Sequence, residues 1–345
     1  MTLRTVDWKD NSVIMIDQTK LPNELVFVKY TDYNDVAQAI RTLVVRGAPA
    51  IGVSGAFGMA LAALQSKSET KEGLLSDLEK AKKTLFETRP TAVNLSWGLE
   101  TIMEIAKQCN SISDIKESVI NKAKQMADDD VQTNKEMGKN GAELFHNNDT
   151  IMTHCNAGAL ATVGYGTALG VIRALKENGK NIKVIATETR PVQQGSRLTA
   201  FELKNDGIDV SLIPDTAVGY TMANGLVNGV VVGADRILRT GHVFNKIGTY
   251  QVATMAKQHN IPFYVAAPLS TFDLTSNPDD VVIEQRKATE VTGIGEKRTA
   301  PEDIDVINPA FDMTPPELIN GIITEKGVAK PPYEESIKKL FRANE

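Results

Sequence analysis

Hydrophobic positions along the chain follow three successive rhythms. At the start, "SVIMID" and "ELVFVKY" alternate or cluster apolar residues on either side of the turn signal "LPNE", which predicts a short hairpin. From Thr31 the spacing lengthens to that of a helix. In "TDYNDVAQAIRTLVVRG" the apolar residues Val36, Ala37, Ile40, Leu43 and Val44 recur at helical intervals, with Thr31 or Asp32 as cap and Gly47 as stop. Helical stretches continue through "PAIGVSGAFGMALAALQ", "EGLLSDLEKAKKTLFETR", "AVNLSWGLETIMEIAKQ" and a long polar-faced segment from about 114 to 145. Met59, Trp97 and Met103 fall at helical spacing among other apolar residues and read as core.

From Asp149 the third rhythm sets in, strand then helix, repeatedly. The apolar runs "TIMTH", "IKVIATET", "DVSLIPD", "GVVVGADRI" and "PFYVAAP" are joined by helix-length crossovers, the signature of a parallel sheet covered on both faces. The expected fold class is α/β: a mainly helical N-terminal domain over residues 1–147, including the hairpin, then a Rossmann-like catalytic domain over 148–345. Right-handed crossovers place the C-terminal tips of the strands along one edge, where such sheets bind ligands.

Composition narrows the class without naming a chemistry. The 345 residues are 42% hydrophobic and 23% charged, and a formal net charge of -5 leaves no basic footprint for nucleic acid. No uninterrupted run of eighteen apolar residues occurs, and "MTLRTVDWKDNS" lacks the features of a signal peptide, so neither a membrane nor a nucleic-acid partner is expected. Two cysteines, Cys109 and Cys155, argue against a disulfide framework and for a reducing, cytoplasmic setting. None of the four histidines has the spacing of a metal-ligand set.

Chemistry concentrates at the strand tips. "THCNAG" puts Cys155 where a strand ends and a small, glycine-rich segment leads toward a helix. Two readings stand side by side: a buried apolar filler, or a thiol activated near a helix N-terminus. "GVVVGAD" delivers Asp235 from an apolar strand, either as a cap for the following turn or as a partly desolvated general acid–base. "ETRPVQQG" and "NKIGTY" bring Gln194, Asn245 and Lys246 to the same edge, with the lysine at a helix start. In the helical half, Arg46, Gly47 and Ala48 precede Pro49 at a helix start and form an anion cradle or a plain turn. Arg89 likewise sits at a helix end, and His154 has no assigned role.

Taken together, "VVRGAPAIG", "RPTAVNLSW", "THCNAG", "ATETRPVQQGSRLTAFEL", "VVVGADRI", "NKIGTY", "VAAPLSTFD" and "NPAFDMTPPELINGIITEKG" closely resemble the methylthioribose-1-phosphate isomerase family, over almost the whole chain and in order. The wider superfamily also holds regulatory subunits of the exchange factor for translation initiation factor 2 and ribose-1,5-bisphosphate isomerases. The resemblance implies an aldose-to-ketose isomerisation in methionine salvage, without metal or organic cofactor, by a cytosolic homodimer acting on a phosphosugar. It implies catalytic roles for Cys155 and Asp235, and substrate binding by Arg46, Gly47, Ala48, Arg89, Gln194, Asn245 and Lys246. One small substrate touching both sets would require the two halves to face each other across a cleft.

Overall fold

The protein is described from a computed structural model covering residues 3–90, 92–295 and 297–342; counts and absences below refer to these residues. It divides into two compact units, Met1–Lys135 with Gly158–Gly166, and Glu136–Ala157 with Thr167–Glu345. The division falls before the expected join at 147/148, because one uninterrupted helix carries the chain out of the first unit.

In the first unit the predicted hairpin is present, with a further strand beside it. Strands β1 (Val6–Lys9), β2 (Ser12–Ile16) and β3 (Phe27–Tyr30) form an antiparallel sheet in that order. Helix α1 (Tyr33–Arg41) starts at Asp32, whose side chain accepts from the Asn34 N–H at 2.8 Å. It stops short of the expected Gly47, since Leu43 turns left-handed with φ 63°.

Helix α2 (Ala48–Gln65) has no charged residue and is buried continuously from Ala50 to Ala63. It is long and apolar enough to cross a membrane. Burial on every face instead marks it as the central helix of a packed core, against which α1, α3 (Lys71–Phe86) and α4 (Val93–Gln108) pack. Met59 and Met103 are buried there as expected, whereas Trp97 is half exposed on the outer side of α4. The 31-residue α5 (Ile112–Ala142) leads out of the unit.

Gly47 caps α2 with φ +92°, and a β-carbon there would lie 2.3 Å from the Ala161 carbonyl oxygen. Only glycine fits this position.

The second unit is built on a sheet of seven strands in the order β16-β15-β10-β7-β4-β5-β6. The five expected strands are β4 (Thr150–Thr153), β5 (Lys183–Thr187), β6 (Asp209–Ile213), β7 (Gly229–Val232) and β10 (Phe263–Ala266). All pair in parallel, as does β15 (Gly321–Thr324), and β16 (Gly327–Ala329) closes the edge antiparallel.

Strand residues alternate between two separate cores, the direct result of the two-residue period of a strand. Met152, Val230, Val232, Val265 and Ile322 pack with α8 (Val218–Ala223), α9 (Thr249–Gln258) and α11 (Tyr333–Arg342). Ile151, Val231, Ala266 and Ile323 pack with the end of α5, α6 (Ala168–Glu177) and α7 (Ala200–Asn205). A smaller sheet, β11-β8-β9-β14, contains β8 (Arg236–Leu238), β9 (Val243–Lys246), β11 (Phe272–Asp273) and β14 (Phe311–Thr314). Short elements β12 (Gly293–Ile294), β13 (Lys297–Arg298) and α10 (Ala288–Thr292) lie between β11 and β14.

Two outcomes test the first unit. Gly47→Ala should lower the melting temperature by on the order of 4 °C or more, since a left-handed non-glycine costs about 1–2 kcal/mol before the Ala161 clash is counted; calorimetry reads the shift. The second concerns Asp130 on α5, which accepts from the Val163 N–H at 2.8 Å and from Asn134 Nδ2 at 3.1 Å. Burial pushes its carboxyl up to about 7. A carboxyl that holds its proton more tightly when folded adds stability at low pH and loses it as pH rises through 7. Asp130→Asn should therefore flatten the fall in melting temperature between pH 4 and pH 8.

Candidate active site

Chain order singles out one pair of strands in the second unit. After β4 the chain steps outward to β5 and β6, then returns to the other side of β4 to add β7, β10 and β15. The direction of strand addition therefore reverses between β4 and β7, and a parallel sheet opens a crevice at the carboxyl ends of such a pair. Cys155 follows β4 and Asp235 follows β7. The two loops are close: a β-carbon on Gly233 would lie 2.7 Å from the Ala157 β-carbon.

Cys155 stands in the left-handed region, φ 64°, where a β-branched or unbranched side chain alike is strained. Both polar atoms of its backbone are held by threonines with no exposed surface. Its N–H donates to Thr189 Oγ1 at 2.9 Å, and its carbonyl accepts from Thr199 Oγ1 at 2.6 Å. The residue is part-buried, so the thiol is neither sealed in a core nor fully in solvent. Helix α6 begins only at Ala168, after a loop containing the single turn Ala159–Ala161. The expected thiol at a helix N-terminus is therefore replaced by a thiol on a clamped, strained peptide.

Each threonine is itself anchored. Thr189, at φ 63° beyond the tip of β5, donates its N–H to Asp215 Oδ1 at 2.8 Å, and the Arg190 N–H reaches Oδ2 at 2.7 Å. Asp215 thus ties the tip of β6 to that of β5. Thr199 closes a wide helical turn, Gly195–Thr199, that runs into α7. The turn lies so near β5 that a β-carbon on Gly195 would sit 1.7 Å from the Thr187 carbonyl oxygen.

Beneath Thr199, Asn156 Nδ2 donates to Thr199 Oγ1 at 3.2 Å and to Glu202 Oε1 at 2.9 Å. Glu202 Oε2 accepts from Arg173 at 2.8 Å, and Arg173 also donates to Asp206. Glu202 is fully buried and Arg173 nearly so, a charge pair of the kind that survives burial only when satisfied on every side.

His154 is buried beside the cysteine. Its Nδ1 lies 2.7 Å from Thr187 Oγ1 and its Nε2 2.9 Å from the Ile247 carbonyl oxygen. Burial pushes its imidazole below the usual value, so the ring is held neutral.

Asp235 departs from expectation. It does not cap a helical turn but leads directly into β8, its N–H donating to the Phe244 carbonyl at 2.9 Å, and it is exposed rather than partly desolvated. Asn245 and Lys246 also differ: they lie on β9, not at a helix start, and both are buried. Asn245 donates to Thr249 Oγ1 at 3.0 Å, while Lys246 Nζ donates to the Ala310 carbonyl at 3.0 Å and sits 5.3 Å from the centre of the Phe311 ring. Next to Phe311, Asp312 accepts from the Gly248 and Tyr250 N–H groups at the start of α9, and burial pushes its carboxyl up to about 6. Gln194 Oε1 is buried and, among the described residues, finds no donor.

The second unit therefore carries Cys155, Asp235 and Gln194 on the segments after β4, β7 and β5, and Asn245 and Lys246 on β9. Arg46, Gly47, Ala48 and Arg89 belong to the first unit, the first three across the start of α2 and Arg89 just past the end of α3. Sequence reasoning missed Thr189, Thr199, Glu202 and Asp215, whose importance lies in contacts 26 to 46 residues apart in sequence.

Residues 44–331 match the Initiation factor 2 subunit family. A curated relative from Thermosipho africanus named methylthioribose-1-phosphate isomerase is 54% identical over 98% of each chain. The crystal structure of 5-methylthioribose 1-phosphate isomerase from Pyrococcus horikoshii is 46% identical, with a TM-score of 0.95 over 99% of this chain and 96% of that one. A structure from A. fulgidus described as the delta subunit of translation initiation factor eIF-2B is 50% identical, with a TM-score of 0.92 over 99% of each. The chain belongs to the Initiation factor 2 subunit family and, within it, to the methylthioribose-1-phosphate isomerases.

Proposed function

We propose that the protein converts 5-methylthioribose 1-phosphate to 5-methylthioribulose 1-phosphate, with Asp235 and Cys155 serving the proton and hydrogen transfers. The observation that carries this reading is the placement of these two residues on the loops after β4 and β7, the pair at which the order of strands reverses. The names of the full-length relatives support the substrate.

The chemistry sets what the groups must do. The anomeric carbon is an acetal carrying phosphate, so the ring opens by breaking the bond from C1 to the ring oxygen while the phosphate stays in place. The ring oxygen gains a proton, hydrogen moves from C2 to C1, and the C2 hydroxyl gives up its proton to become the ketone. Asp235 gives the proton to the ring oxygen and is re-protonated at the expense of the C2 hydroxyl, so that the enzyme ends as it began. Cys155 serves the transfer between C2 and C1, whether the hydrogen travels as a proton or as a hydride. An exposed carboxyl becomes a useful acid when covered, and the bound sugar itself supplies that burial. Phosphate and hydroxyl contacts are assigned to Arg46, Gly47, Ala48, Arg89, Gln194, Asn245 and Lys246; the unpaired Gln194 Oε1 supports its place in the set.

Asp235→Asn should lower kcat by about a hundredfold or more with KM and melting temperature little changed, as expected for a lost acid–base on an exposed loop. Near wild-type turnover would remove this aspartate from the reaction. Cys155→Ser should lose most turnover while melting within a few degrees of wild type, and substrate should protect Cys155 from alkylation. A large fall in melting temperature with turnover retained would return Cys155 to the role of filler.

A further inference from the structure

The hydrogen bonds around His154 allow only one direction of donation. A backbone carbonyl only accepts, so Nε2, 2.9 Å from the Ile247 oxygen, must carry the hydrogen. In a neutral imidazole Nδ1 is then a bare acceptor, and the Thr187 hydroxyl, 2.7 Å away, must donate to it. With its proton committed, Thr187 Oγ1 is open to receive the Thr189 hydroxyl at 3.1 Å. Thr189 Oγ1 in turn receives the Cys155 N–H at 2.9 Å. The chain runs one way, from the Cys155 peptide through two hydroxyls and the imidazole to Ile247.

We propose that His154 is a positioning residue: as the Nε2–H tautomer it sets the direction of this relay, holds the Cys155 peptide in its left-handed conformation, and pins it to the turn that follows Asn245 and Lys246. The ring is 2% exposed, and a β-carbon added at Gly248 would come 3.0 Å from His154 Cε1, so the imidazole fills the space this glycine leaves open. Ile247 and Gly248 join β9 to α9, so one ring fixes both the cysteine loop and the segment bearing the amide and ammonium.

The charged groups facing the ring are Asp215, from the tip of β6, and Lys246, from β9. They act in opposite senses, and burial outweighs both to keep the ring neutral. A doubly protonated ring would turn Nδ1 into a donor. Thr187 would then have to reverse, the Thr189 hydroxyl would fall back on its longer bond to the Thr187 carbonyl at 3.4 Å, and the clamp on Cys155 would loosen.

The inference rests on Cys155 taking part in the reaction, and the test separates the two ideas. The full-length protein is assayed with 5-methylthioribose 1-phosphate, and the alkylation rate of Cys155 by iodoacetamide is followed in parallel, with Cys109 replaced by Ala throughout. His154→Asn keeps an acceptor near Nδ1 and should retain kcat within a few-fold. His154→Phe and Thr187→Val both break the relay. Each should lower kcat by about ten- to a hundredfold, the cost of a small misplacement, with KM changed less and the alkylation rate altered. Thr187→Ser should restore both. Combining His154→Phe with Thr187→Val should cost little more than either alone, because both cut one chain.

Additive losses, or unchanged kcat and alkylation alongside a lower melting temperature, would reduce His154 to packing. If Cys155→Ser kept full turnover, the catalytic reading would fall. The alkylation rates would then still decide whether His154 positions the thiol. Should His154→Phe not fold, the two threonine variants carry the same comparison.

Discussion

Two threonine hydroxyls holding one strained peptide are the constraint around which the second unit is arranged. A left-handed cysteine costs about 1–2 kcal/mol relative to an ordinary conformation. Two part-buried hydrogen bonds, each with a net value of about 1 kcal/mol, offset that cost only if both threonines are already in place. Much of the surrounding structure provides this. Asp215 fixes Thr189 from the tip of β6, and Gly195 lets the wide turn approach β5 so that Thr199 arrives beneath the cysteine carbonyl. Glu202 and Arg173 then brace Asn156, the next residue, from below. The strain is thus distributed over three neighbouring strand tips and a buried ion pair.

The small sheet gives the other half of the edge its firmness. Lys246 is held by a carbonyl and an aromatic ring, and Asp312, across from Asn245 on β14, satisfies two N–H groups at the start of α9. A carboxylate reaching from a strand to a helix start does the work of a cap from outside the helix. The sequence pattern offered no sign of it, since Asp312 is 64 and 62 residues from its partners.

What could be read in advance follows the range of the interactions involved. Periodicity is local, so the four large helices of the first unit and the five apolar strands of the second were visible in the residues. Motif residues at strand tips were visible for the same reason, because each apolar run ends at them. Strands β15 and β16 are not legible in the same way, because "GIITEKGVA" lies beyond the repeated strand–helix rhythm that marks the others. Local pattern puts Asn245 and Lys246 at a helix start because "IGTYQVATMAK" follows them. Their true place is set by pairing with residues 311 to 314, which no local pattern reveals. Burial was the least legible quantity: Trp97 has the spacing of a core residue and is half exposed, while Asp235 leaves an apolar strand and is exposed as well.

The alternation of β4 between two cores limits how this chain can vary over time. Ile151 serves one core and Met152 the other, and Cys155 takes its aspect from the same count. Inserting or deleting a single residue within β4 would exchange Ile151 and Met152 between cores and turn the cysteine toward the wrong side. The crossover connections are under no such parity rule. Length changes among related chains are therefore expected to collect in the connections between strands, and the interval from Ile151 to Cys155 should be kept at a fixed length wherever the thiol is used.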